Sequence, residues 1–79
     1  MSEIACIELS SVPPPLIDSA ARRLDGASGD HLIAFSGCPM VGREVDGGEI
    51  EFSFPRTIEI RESLIDWMLY WGIPFRVMP

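Results

Sequence analysis

The sequence predicts an α+β fold, a small two-layer sandwich of the ferredoxin-like βαββαβ type, with one four-stranded antiparallel sheet and both helices on one face. Three observations predict it. Apolar patterns along the chain read strand, helix, strand, strand, helix, strand; a glycine-rich hairpin signal separates the second and third strands; and a proline falls in the last strand, where only an edge position tolerates it. With right-handed crossovers, two βαβ-like halves joined by a hairpin give that sandwich most simply. The 79 residues hold a single domain, 1–79, with one core that buries roughly 60% of the unfolded surface.

Ile4 to Leu9 is a short β-leaning apolar run, closed by Ser10, Ser11 and the stiff Pro13-Pro14-Pro15 link. From Leu16 to Asp25, the residues Leu16, Ile17, Ala20, Ala21 and Leu24 share a helical face. Asp18 near its start and Arg22 and Arg23 near its end complement the helix dipole, and Gly26 stops it. His31 to Phe35 is the second strand, broken at Gly37-Cys38-Pro39. Val41, Arg43 and Val45 then alternate up to Asp46-Gly47-Gly48, a hairpin turn; an extra short strand at Met40 to Val45 is the alternative to the four-stranded sheet.

Glu49 to Phe54 alternates strictly, with Ile50, Phe52 and Phe54 inward and Glu49, Glu51 and Ser53 outward; this parity can also be followed past Pro55 to Ile58 and Ile60. From about Ile60 a helical period places Ile60, Leu64, Ile65, Met68 and Trp71 on one face and Glu62, Ser63 and Asp66 opposite, and Gly72 ends it. Ile73, Phe75 and Val77 form the last strand, with Pro74 marking an edge.

Twelve acids against six bases give a net charge of -6, and every base is arginine. Direct binding to nucleic acid or to an anionic membrane is therefore disfavoured. The absence of Lys, Asn and Gln is the bias of a GC-rich coding sequence, bacterial or phage. No basic, apolar leader opens the chain and no stretch approaches membrane length, so a cytoplasmic protein with two reduced thiols is expected.

Catalytic chemistry finds few candidates. Cys38 in its turn and His31, the single histidine, are the one thiol and base pair on offer, and they could serve a small-molecule-binding or thiol-dependent enzyme module assembled from several copies. Their spacing fits neither a triad nor zinc ligation, and no cofactor or metal is expected. Gly47-Gly48 lacks the Lys and helix of a phosphate loop. Pro13-Pro14-Pro15 lacks the flanking base of a polyproline ligand and reads as a linker.

Surface features point elsewhere. Glu44, Asp46, Glu49 and Glu51 would gather as an acidic patch around a helix-free sheet face, and Trp67 and Tyr70 flank the core stripe of the last helix, residue types that anchor interfaces. These six are the expected partner-binding residues, Trp67 provided that it is exposed. The expected function is a non-enzymatic, small acidic protein that binds a basic protein or nucleoprotein complex. By analogy of size and charge, it is an inhibitor carried by a phage or mobile element, anti-CRISPR-like, presenting carboxylates where a nucleic-acid-handling complex expects phosphates. A homodimer paired through the open sheet faces is the competing arrangement.

Overall fold

The structure, a computed structural model, describes residues 3–54 and 56–79. Its frame is one antiparallel sheet of six strands, β1 (Ile4–Glu8), β2 (Ala21–Leu24), β3 (His31–Ala34), β4 (Gly42–Val45), β5 (Glu49–Ser53) and β6 (Phe75–Met78), in the order β2-β3-β4-β5-β1-β6. A short helix α1 (Pro14–Ser19) follows a 3-10 turn, Leu9–Ser11, and a single long helix α2 (Ile58–Tyr70) packs on the sheet. The expected four-stranded ferredoxin-like sandwich with two full helices is therefore corrected to a six-stranded sheet with one full helix.

The two extra strands explain the correction. Residues 21–24 pair in register with residues 34–31 instead of completing a helix, because 25–30 folds into a turn. There the Asp25 carboxylate accepts bonds from the Ala27 amide (3.1 Å) and the Ser28 hydroxyl (2.9 Å), and Gly29 adopts φ +77°. These bonds hold the Asp25 carboxyl below its usual value. The second extra strand is β4, within the Met40 to Val45 alternative. It joins β5 through Asp46-Gly47-Gly48, with φ +87° at Gly47 and +75° at Gly48, the left-handed conformations that a tight hairpin needs.

Strand pairing sorts the side chains onto two faces. Ala5 and Ile7 of β1 lie opposite Phe52 and Ile50 of β5, and Ile33 of β3 lies opposite Gly42 of β4. With Val12, Leu16, Leu64, Trp67, Met68 and Ile73 these apolar residues form the core between sheet and α2. Gly42 belongs there by size: a Cβ at this position would lie 2.6 Å from Cγ2 of Ile50 and 2.9 Å from Cε1 of Phe52. Phe54 is half-buried beside the core.

The last helix starts at Ile58, two residues before the point where its period becomes plain, and buries Leu64, Trp67 and Met68. It stops at Gly72 (φ +67°), where the Ile73 amide reaches back to the Met68 carbonyl (2.9 Å) and the Gly72 amide to that of Leu69 (3.2 Å). β5 ends at Ser53, and Pro55, where the strand's parity was open, lies outside the described residues. The last strand is an edge, as Pro74 implies, and it lies against β1. No helix among the described residues is long and apolar enough to cross a membrane.

Candidate functional site

The helix-free sheet face carries Cys6 and Glu8 from β1, Glu49 and Glu51 from β5, Arg43 from β4 and Arg76 from β6, as strand parity requires. The acids here do not stand alone. Arg43 pairs with Glu51 and also lies 3.6 Å from Asp30, while Arg76 reaches across β1 to Glu49. Glu51 holds the Arg43 guanidinium above its ordinary pKa through hydrogen bond and charge together. Glu44 falls on the opposite face and pairs with Arg22 at 2.9 Å. Of the four acids expected to form an acidic patch, three are thus matched by an arginine, and Asp46 stands exposed at the hairpin tip.

The two aromatic candidates separate. Trp67 is 7% exposed: its ring stacks on Phe35 with centroids 5.5 Å apart, and its indole N–H donates to the Ser36 carbonyl at 3.2 Å. It is a core residue, and its place among the partner-binding candidates is corrected. Tyr70 is 82% exposed, with its ring edge-on to Trp71.

Tyr70 ends a stripe that runs along the outer side of α2. Glu59, Glu62, Asp66 and Tyr70 follow at spacings of three, four and four residues, so they lie one above another on the helix. Ser63 and Leu69 flank them, and Leu69 is 65% exposed. The one arginine of the helix, Arg61, is turned aside, stacked over the Phe54 ring at 4.9 Å and 3.7 Å from Glu3. Nothing basic lies in the last turn. Glu62 and Asp66 are legible in the sequence as the side of the helix opposite the core stripe, and Glu59 joins them once the same period is carried back to Ile58.

Cys38 and His31 do not meet. His31 opens β3 and Cys38 lies beyond its far end, so the four residues of the strand hold them roughly 10 Å or more apart along its axis. Burial pushes the Cys38 thiol above its ordinary pKa, and the Met40 amide offsets this only in part. Cys6 is raised as well, first by burial and then by the nearby Glu51 charge. Among the described residues no group of three or more His, Cys, Asp or Glu side chains is placed to hold a metal ion. With iodoacetamide at neutral pH, Cys38 is expected to alkylate more slowly than free N-acetylcysteine; a faster rate in mass spectrometry would show an activated thiolate and revive a thiol chemistry.

The clefts in the surface are shallow and open. One of about 300 Å³ lies between β1 and β6 beside Cys6, Pro74 and Arg76, and another lies between the hairpin glycines and Leu9 and Ile17. Neither gathers a nucleophile, a base and an oxyanion donor. Comparison with protein-family models, with curated proteins and with solved structures finds no match.

Proposed function

We propose that this chain is a non-enzymatic binding protein that occupies a basic site on a nucleic-acid-handling protein, laying the outer side of α2 into it so that carboxylates take the place of phosphates. The observation that carries the reading is the stripe Glu59, Glu62, Asp66, Tyr70, whose acids form no salt bridge among the described residues. Like charges at such spacing cost an isolated helix about 0.2–0.5 kcal/mol per pair, and an acid towards the helix C-terminus opposes the dipole. Glu59, in the first turn, suits the dipole, but folding gives no such reason for Asp66, whereas a cationic partner does. Leu69 and Tyr70 at its end supply the apolar and aromatic contact that anchors an interface centre. A phage or mobile-element inhibitor of a nucleic-acid-guided complex is the natural setting for such mimicry.

The test captures the partner from host extract with tagged chain and then measures displacement of nucleic acid from that partner. The double variant Glu62→Arg, Asp66→Arg should lose about tenfold or more in affinity, and wild-type binding should weaken steeply as salt rises. Glu49→Lys, Glu51→Lys is the companion variant, because its acids already pair with Arg76 and Arg43. A loss confined to the companion variant would move the contact to the sheet face, and a partner that keeps its nucleic acid would refute the mimicry.

A further inference from the structure

The sheet ends at β2, and this edge differs from the rest of the surface. All four of its residues are exposed, and β3 is its single neighbour in the sheet. The Asp25 amide bonds across to the Asp30 carbonyl at 2.8 Å, so strand alternation turns the N–H and C=O groups of Arg22 and Leu24 away from β3. Such groups are a template for a further strand. Beside them lies a cavity of about 200 Å³ with mostly apolar walls, lined by Ala21, Arg22, Arg23, Leu32, Ala34 and Val41. Leu24 and Val41 are 61% and 48% exposed, more than their apolar character alone favours.

Charge identifies what fits. Arg22 and Arg23 project to opposite faces of the edge, His31 stands beside Leu24, and Arg23 makes no salt bridge among the described residues. Arg22 is held by Glu44, so Arg23 is the cation this edge offers a partner, in a chain whose net charge is -6. A second copy is a poor occupant: antiparallel pairing of β2 with itself sets a residue opposite its own copy, so a register centred on Arg22 or on Arg23 puts arginine directly against arginine, and like charges directly opposite are destabilising. An extended strand with an acid opposite Arg23 meets it as a partner instead.

We propose that β2 is an acceptor edge for an extended, acidic segment of a partner protein, which adds as a seventh strand with a carboxylate on Arg23 and, two residues along on the same face, an apolar side chain in the cavity bounded by Leu32, Ala34 and Val41. The geometry stands apart from the α2 stripe, so either docking surface can fail without the other.

The probe is an acetylated, amidated ten-residue peptide in which Glu and Val alternate along one strand face and Thr fills the other, compared with its counterpart carrying Lys for Glu, each titrated into isotope-labelled protein and followed by NMR. The acidic peptide should bind about three- to tenfold more tightly, slow the hydrogen exchange of the Arg22 and Leu24 amides, and lose its advantage with the surface variant Arg23→Glu. Equal affinity for both peptides, no binding of either, protection at β6 instead of β2, or self-association that shields β2 without peptide would each overturn the proposal. Arg23 is exposed and outside the core, and unchanged amide spectra elsewhere will show that its variant is folded.

Discussion

Replacing Trp67 with alanine should destabilise the fold by about 3–5 kcal/mol, the usual cost of deleting a buried aromatic side chain. For 79 residues a total stability of about 4–12 kcal/mol is typical, so the variant should be at the margin of folding. The argument is local. Trp67 joins three parts of the molecule at once: it sits on α2, stacks on Phe35 after β3, and donates its indole hydrogen to the Ser36 carbonyl. Alanine leaves a cavity and also strands that carbonyl in a partly buried place. Phenylalanine keeps the stacking and should lose only about 1–2 kcal/mol. Tyr70→Ala is the contrast, because so exposed a ring should leave stability within about 0.5 kcal/mol while weakening any contact through α2. Urea unfolding measures all three; a Trp67→Ala loss below about 1 kcal/mol would contradict the packing described.

Gly42 should be the least tolerant glycine. A single added methyl is forced against Ile50 and Phe52, both fully buried and on the neighbouring strand, so neither can swing away into solvent. Overpacking of this kind costs about 1–3 kcal/mol for Gly42→Ala, and valine, with two more carbons in the same space, should leave the chain largely unfolded. By comparison Gly26 has open space around it and no left-handed backbone, so Gly26→Ala should be nearly neutral. Thermal melting of the three variants checks the order. A stable Gly42→Val with a native amide spectrum would mean that β4 and β5 are further apart than described.

The parts of this fold legible in the sequence are those where one period has no rival. Glu49 to Ser53 alternates without exception, and the helix ending at Gly72 repeats its apolar residues over three turns. Residues 16–25 were a contest. Leu16, Ile17, Ala20, Ala21 and Leu24 do satisfy a helical period, yet only Pro14–Ser19 is helical, because the Asp25–Asp30 turn offers residues 21–24 a ladder with β3. Four residues carry too little local preference to resist that pairing.

The same holds for the candidate site. That Glu49 and Glu51 point outward follows from parity, but whether they stay unpaired depends on what lies across the strand. The Arg43 to Glu51 pair was within reach, since a turn at Asp46-Gly47-Gly48 sets Val45 opposite Glu49 and Arg43 opposite Glu51. The Arg76 to Glu49 pair, with β1 between its members, needed the sheet order itself. Trp67 and Tyr70 lie three residues apart on one helix, and only the true axis of its apolar stripe tells which is inside.

The position of β1 governs how the molecule can assemble. Ile4 lies opposite both Ser53 and Met78, so the earliest strand must await the latest ones, while β2 to β5 form a run of hairpins between near neighbours. Distant pairings carry the larger loop-closure penalty and form late. The meander is therefore the natural nucleus, and until β1 slots between β5 and β6 the hydrophobic edge at Ile50 and Phe52 stands open. During synthesis it is the first strand made that has to wait, with Ala5 and Ile7 uncovered, until Glu49–Ser53 has left the ribosome.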